Sequence, residues 1–238
     1  MIETGGSNIL GVVGGLGPLA SAEFLKTLYE WSIKKREQEG PIVFLYSDPT
    51  FPDRTDSFLS GEGDEVLERL ITASNHLRQM GVSKILVCCV TIHYLFPRLP
   101  KELRGQMVSL LDLIFDGVAG SSKKHLLVCS NGSRKLELFE SHDGWKAAHS
   151  KIILPDERDQ DLIHNDLIYQ IKQNGDVNQK IKLLESLLAK YGVDSFIAGC
   201  TEMHLVAKGL MNSVGNVNKY SCIDPLTIMA KEMAGERI

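Results

Sequence analysis

Short apolar runs alternate with longer amphipathic segments along the chain. The runs are short enough for buried strands, whereas the segments between them repeat apolar residues at helical spacing. Strands that alternate with helices predict parallel sheets with helices on both faces, so the predicted fold class is α/β. The predicted strands cover residues 9–13, 42–46, 84–88, 108–110, 125–129, 152–154, 195–198 and 220–223. The predicted helices cover residues 20–36, 64–80, 111–118, 133–140, 159–172, 177–191 and 225–233.

The second half of the chain repeats features of the first. Residues 9–17 and 125–133 are both apolar runs that enter a turn of small residues. Each half also places a cysteine after a strand, with a threonine nearby and a histidine four residues after the cysteine. This repeat predicts two related, pseudo-symmetric halves. The cysteine–histidine pairs are Cys89 with His93 and Cys200 with His204.

Composition and charge exclude several classes of protein. Of the 238 residues, 43% are hydrophobic and 24% are charged, and the formal net charge is -4. The basic residues form no stripe that could follow a phosphate backbone, so we expect no nucleic-acid partner. No apolar stretch reaches the roughly 18 residues that a membrane-spanning helix needs. Residues 1–8 lack the basic-then-apolar pattern of a secretion signal, so we expect a cytoplasmic protein that does not bind membranes.

The five cysteines are odd in number and lack the spacing of a disulfide framework. Because cytoplasmic thiols stay reduced, we expect no structural disulfide. A cysteine at the end of a strand is most often an inert apolar residue, and we assign that role to Cys88, Cys129 and Cys222. Cys89 and Cys200 differ from them because their sequence surroundings match each other.

Cys89 and Cys200 are predicted to lie beyond the carboxyl ends of parallel strands, where ligands collect in open α/β sheets. Each would lie near the start of a helical turn, whose free N–H groups lower the pKa of a thiol. Such a thiol can remove a proton from carbon near neutral pH. If the halves are pseudo-symmetric, the two thiols face each other across a cleft. One can then remove a proton from one face of a carbon while the other returns a proton to the opposite face, as racemisation requires.

Three further side chains could assist the thiols. His93 and His204 would each lie one helical turn from a thiol and tune it. Glu202 could orient His204 or bind the amine of a substrate. The alternative for each of the three is a role in packing or on the surface.

Two turns and one arginine are candidates for binding a carboxylate. The turns of small residues after the first strand of each half leave backbone N–H groups free for an anion. An arginine after the second strand can pair with a carboxylate through two parallel hydrogen bonds. Neither turn matches a nucleotide-binding motif. The residues concerned are Gly15, Leu16, Arg54, Asn131, Gly132 and Ser133.

Taken together, these motifs resemble those of the aspartate/glutamate racemase superfamily, and specifically its aspartate racemase-like branch. The resemblance implies two Rossmann-like domains with the active site in the cleft between them. It also implies racemisation by a thiolate/thiol pair, without pyridoxal phosphate or a metal. The matching segments, in the expected order over nearly the whole chain, are residues 14–21, 52–55, 89–93, 155–160, 168–169 and 199–202.

The resemblance also assigns boundaries, roles and partners. One domain would comprise residues 1–114 with 212–238 and carry Cys89, and the other would comprise residues 115–211 and carry Cys200. The substrate would be an amino acid or dicarboxylate, no cofactor is expected, and a homodimer is expected because dimers are common in the family. The residues expected to contact substrate carboxylates are Arg54, Thr91, Ser133 and Thr201.

Val90 departs from the family pattern, which typically has asparagine directly after the first cysteine. That asparagine helps to bind the amino acid, so Val90 at the substrate site leaves aspartate, glutamate and a less polar relative open as substrates. The turn at residues 130–133 also lacks the usual threonines.

Three other functions stay open: isomerisation of a related dicarboxylate, a Cys₂His₂ zinc site formed by the two cysteine–histidine pairs, and binding of a small anion without catalysis.

Overall fold

The computed structural model describes residues 9–212 and 219–236. Its strands are β1 (Leu10–Gly14), β2 (Val43–Ser47), β3 (Lys84–Val87), β4 (His125–Cys129), β5 (Ile152–Ile153), β6 (Ser195–Gly199) and β7 (Ser221–Ile223). They form one sheet of order β2-β1-β3 and a second of order β5-β4-β6-β7, with all neighbouring strands parallel. The prediction of an α/β fold with two parallel sheets is confirmed.

Helices connect the strands on both sides of the sheets. The α-helices are α1 (Pro18–Ser32), α2 (Arg54–Leu59), α3 (Gly63–Gln79), α4 (Lys101–Arg104), α5 (Leu110–Gly120), α6 (Asn131–Lys135), α7 (Trp145–Ala148), α8 (Glu157–Leu162), α9 (Gln170–Lys172), α10 (Val177–Lys190), α11 (Met203–Asn212) and α12 (Pro225–Met233). Short 3₁₀ helices cover Glu37–Glu39, Thr91–Arg98 and His149–Lys151, and a π-helix covers Ile163–Tyr169.

Side-chain caps fix where several of these helices begin. Asp53 accepts hydrogen bonds from the first-turn N–H groups of α2, Ser130 does so for α6, and Asp224 for α12. Such caps satisfy N–H groups that have no partner within the helix. Helices α2 and α6 begin shortly after β2 and β4, so their caps set the local geometry at the carboxyl edges of both sheets.

Residues 108–110, predicted as a strand, do not form one. A single parallel bridge pairs Ile85 with Met107, and Ser109 then caps α5. The local sequence favoured a strand because it is apolar, but here the chain turns into a helix directly after the bridge.

Two helices are shorter than predicted. Helix α1 ends at Ser32 because Ile33 has an extended backbone. The helix after β4 ends at Lys135, and Glu137 then has a positive φ of 50°.

The C-terminal segment contributes to both halves. Strand β7 pairs with β6, so it belongs to the second sheet. Helix α12 packs mainly against α1 and also contacts α5. The resemblance placed residues 212–238 in the first domain, whereas β7 of this segment pairs with β6 of the second sheet. The domain boundaries themselves stay a prediction.

Among the residues that the structure describes, the buried apolar side chains form three clusters. One belongs to the first half and one to the second. The third joins them: it includes Leu10 and Leu86 of the first sheet, Leu127 and Ile197 of the second, and Leu226 of α12. The two halves therefore share a packed core. None of the helices within residues 9–212 and 219–236 is long and apolar enough to cross a membrane.

Candidate active site

Cys89 and Cys200 lie just beyond the carboxyl ends of β3 and β6, each as a free thiol. Both are buried, with 7% and 5% of their surface exposed. Burial and the charge of Glu202 raise the pKa of Cys200, and the charge of Cys89 raises it further. The two sulfurs therefore interact electrostatically where the two halves meet.

The pKa of Cys200 lies well above its ordinary value. The expectation that a helix N-terminus lowers it is wrong for this thiol, because burial and the neighbouring Glu202 carboxylate outweigh the favourable charge of Lys172. Cys200 is therefore a protonated thiol at neutral pH in this arrangement, which suits it to donate a proton.

Glu202 is bound to the Cys200 thiol. The Sγ of Cys200 donates to Oε2 of Glu202 at 2.9 Å, and the carboxylate is 2% exposed. The other oxygen, Oε1, has no hydrogen-bond partner within the part of the chain that the structure describes. It abuts Gly17, where a Cβ would lie 2.2 Å from Oε1. Glu202 thus contacts the thiol itself, in place of the predicted contact with His204.

Arg54 supplies a positive charge beside Cys89. Its guanidinium donates to the carbonyl oxygens of Pro52 at 2.7 Å and Leu16 at 2.5 Å. These two bonds fix the guanidinium beside the turn that follows β1. Burial lowers the pKa of Arg54, but the charges of Cys89, Asp53 and Glu202 outweigh burial and raise it. Its Nε has no partner among the described residues although it is buried.

Lys172 is a second cation at the site, and the sequence reasoning missed it. Its Nζ lies 3.5 Å from Oδ2 of Asp53 and 4.1 Å from the ring centre of Tyr169. Burial lowers the pKa of Lys172, but the charges of Glu202, Cys200 and Asp53 raise it overall. Tyr169 also donates to Asp53, at 2.8 Å. The matching segment at residues 168–169 was the only sequence signal near this lysine.

Hydroxyl groups from both halves meet beside the thiols. Oγ1 of Thr91 lies 2.9 Å from Oγ of Ser133 and 3.1 Å from that of Ser130. Thr201 donates across the junction to the carbonyl oxygen of Cys88 at 3.2 Å. The structure thus brings together the predicted residues Thr91 and Ser133, and it adds Ser130. Gly132 packs closely against Thr55 of the first half: a Cβ at residue 132 would lie 2.7 Å from Oγ1 of Thr55.

Neither predicted histidine offers a free ring nitrogen to a thiol. Leu110 N–H donates to Nε2 of His93 at 2.8 Å, so Nδ1 carries the proton and donates to the carbonyl oxygen of Val90 at 2.9 Å. Burial lowers the pKa of His93 to about 4. His204 is bonded through both nitrogens to Asp224 and a threonine. Neither ring therefore tunes a thiol by a direct hydrogen bond. No three metal-ligating side chains converge within residues 9–212 and 219–236.

Other predicted contact residues are engaged in internal bonds. The Asn131 side chain bonds to Asp161 and Gln160. Gly15, with φ of 86°, donates its N–H to Ser21 Oγ at 3.2 Å, so this N–H is not free for an anion. Leu16 contributes its carbonyl oxygen to Arg54, and Val90 is 1% exposed within the apolar cluster that joins the halves.

Comparison with known proteins gives the same fold throughout. An aspartate racemase from Picrophilus torridus is 22% identical with a TM-score of 0.80, covering 97% of this chain and 96% of that one. An aspartate racemase homologue from Pyrococcus horikoshii is 20% identical with a TM-score of 0.66, covering 96% and 100%. A glutamate racemase from Francisella tularensis, solved with D-glutamate, is 14% identical with a TM-score of 0.59, covering 96% and 80%. The family model for Asp/Glu/hydantoin racemases matches residues 13–233, and the chain therefore belongs to that family.

Proposed function

We propose that this chain interconverts the L and D forms of an acidic amino acid, aspartate or glutamate, without a cofactor. The observation that carries the proposal is a pair of buried thiols, each beside a group of different charge. Cys89 lies beside the cation of Arg54, and Cys200 donates to the carboxylate of Glu202. A two-base proton transfer needs one base and one acid. Burial and Glu202 raise the pKa of Cys200, so Cys200 is the thiol that serves as the acid, and Cys89 is left as the base.

Each turnover removes one proton from the α-carbon and returns one. In one direction the Cys89 thiolate takes the α-proton, and the electron pair left on carbon delocalises into the adjacent carboxylate. Arg54 faces that carboxylate and stabilises the added negative charge. The Cys200 thiol then protonates the opposite face of the carbon and becomes the thiolate. In the reverse direction the two sulfurs exchange roles.

The charges around the thiols fit a substrate with two carboxylates and one ammonium group. Buried charged atoms without partners are costly, and a ligand that bonds to them recovers that cost. Nε of Arg54 and Oε1 of Glu202 are two such atoms among the residues described. A substrate carboxylate would accept from Arg54, and its ammonium group would donate to Glu202. Lys172, from the opposite half, would meet the second carboxylate.

The proposal is tested by incubating the purified protein in D₂O with a panel of amino acids, without added cofactor and with a chelator. We expect α-hydrogen exchange and racemisation with aspartate or glutamate. Cys89→Ala and Cys200→Ala should each abolish racemisation. Cys88→Ala is the matched control, because this neighbouring thiol is fully buried and its pKa is raised by burial.

The proposal is wrong if the wild-type protein exchanges the α-hydrogen of neither acidic amino acid. Near-normal turnover in Cys89→Ala or Cys200→Ala would contradict the two-thiol mechanism even if the protein racemises its substrate. The expected homodimer and cytoplasmic location stay predictions, which sizing of the purified protein and localisation in the cell would test.

A further inference from the structure

His204 lies at the centre of a buried hydrogen-bond network that joins three helices. Its side chain is 0% exposed. Nδ1 lies 2.6 Å from Oδ2 of Asp224, the cap of α12, and Nε2 lies 2.8 Å from Oγ1 of Thr27 on α1. A ring with both nitrogens engaged is fixed in orientation. His204, on α11, therefore ties its own helix to α1 and α12.

The network continues on both sides of the ring. Thr227 donates to the same oxygen of Asp224 at 2.6 Å. Lys208 donates to Thr27 at 2.8 Å and also to Glu23 at 2.6 Å. These bonds leave neither partner of His204 free to turn away, so the ring is held from both sides.

The backbone of His204 belongs to the turn that carries Glu202. The N–H of His204 donates to the carbonyl oxygen of Thr201 at 3.1 Å, and the N–H of Leu205 donates to that of Glu202 at 3.2 Å. On the other side of the network, α1 begins next to Gly17, which abuts the free oxygen of Glu202. Glu202 is thus held between the two helices that His204 connects.

We infer that His204 is a positioning residue for Cys200: its bonds to Asp224 and Thr27 keep the Glu202 carboxylate within hydrogen-bond distance of the thiol. Cys89 follows a strand of the other sheet and has no bond to this network among the described residues. Loss of the network should therefore affect one thiol of the pair. The kinetic test of this inference rests on the proposed function, and a second test does not.

His204→Asn is the first variant, because its amide nitrogen replaces Nδ1 towards Asp224 while the bond to Thr27 is lost. His204→Gln is the second variant, for the case that the first does not fold, because its longer amide reaches towards Thr27. The matched control is His125→Asn. His125 is also buried and hydrogen-bonded, at 2.6 Å to Ser195, but it starts β4 at the end of the sheet away from the thiols.

The kinetic test uses α-deuterated L and D substrates. If His204 positions Glu202, kcat/KM falls in both directions by roughly tenfold to a hundredfold. The substrate isotope effect then grows only for the enantiomer whose proton Cys200 removes, because that transfer becomes rate-limiting. Cys200→Ser identifies this enantiomer and Cys89→Ser the other. The inference is overturned if the isotope effect changes equally for both enantiomers, as in a general loss of structure, or if it grows for the enantiomer that Cys89→Ser identifies.

The second test needs no substrate. The rate of alkylation of Cys200 by iodoacetamide is compared with that of Cys89 by mass spectrometry in the intact protein. Because Glu202 raises the pKa of Cys200, its displacement in His204→Asn should speed alkylation of Cys200 relative to Cys89. An unchanged ratio overturns the inference whether or not the wild type racemises amino acids. A wild type that racemises nothing overturns only the proposed function.

Discussion

Gly17→Ala tests how closely the fold holds the carboxylate of Glu202. A Cβ at residue 17 would lie 2.2 Å from Oε1, whereas ordinary van der Waals contact begins at 3.4 Å. The φ of Gly17 is -170°, which alanine adopts without strain, so the clash is the main effect. The carboxylate must move by about 1 Å, and a misplacement of that size at a reacting group lowers the rate by about a hundredfold.

The measurement is kcat/KM for racemisation of both enantiomers of aspartate and glutamate, with urea unfolding to follow stability. Glycine is a better helix cap than alanine, so we expect unfolding to become easier by at most about 1 kcal/mol. The matched control is Gly120→Ala at the end of α5, where a Cβ would have no atom of residues 9–212 or 219–236 within 4 Å. It should leave kcat/KM unchanged.

A double variant decides whether the effect of Gly17→Ala passes through Glu202. In a Glu202→Ala background no carboxylate remains to be displaced, so adding Gly17→Ala should lower kcat/KM little further. Wild-type activity in the Gly17→Ala single variant would refute the reasoning. So would additive losses in the double variant, because they would mean that residue 17 acts elsewhere.

Three further predictions concern other groups at the site. Lys172→Met should raise KM for acidic amino acids about tenfold to a hundredfold with a smaller change in kcat, because it removes a charged contact worth about 1.5–3 kcal/mol. Steady-state kinetics would contradict this if KM for a neutral amino acid rose equally. His93 has its pKa lowered by burial to about 4, below its unfolded value of 6.5, so its stabilising contribution is full above pH 6.5 and is lost as the pH falls towards 4. Urea unfolding should show a loss of about 3 kcal/mol over that range, and His93→Gln should remove most of this pH dependence. Thr91→Val should lower kcat/KM about tenfold through loss of its hydroxyl bonds to Ser130 and Ser133, and a Thr91→Ser variant that does not restore activity would point to packing instead.

Most of the fold could be predicted because each buried parallel strand coincides with a short run of apolar residues. All five residues of β4 are buried, and the apolar run at residues 125–129 marks them directly. The apolar run at 108–110 misled for the same reason, since only the position of Ser109 as a cap shows that a helix begins there. The pairing of β7 could not be predicted, because a short apolar run does not say which sheet edge will take it.

At the site, the sequence identified groups whose roles are local and missed those that depend on distant contacts. The two thiols and Glu202 lie within turns that directly follow strands, so strand ends located them. Lys172 looked like an ordinary helical lysine, and its partner Asp53 lies more than a hundred residues earlier in the chain, where no local pattern could indicate the contact. His204 has the same spacing from its cysteine as His93, but its partners lie 20 and 177 residues away in sequence.

The matched cysteine–histidine spacing suggested two equivalent thiols, whereas the charges around them are unlike. Cys89 has a cation beside it and Cys200 a carboxylate, so on the proposed mechanism the free protein holds its proton on Cys200. That state is ready for only one enantiomer, the one whose α-proton faces Cys89. Enantiomers have equal free energies in solution, so kcat/KM must be equal in the two directions. The asymmetry can therefore appear only as a lower kcat matched by a lower KM in one direction, and the protonation state must reset between turnovers.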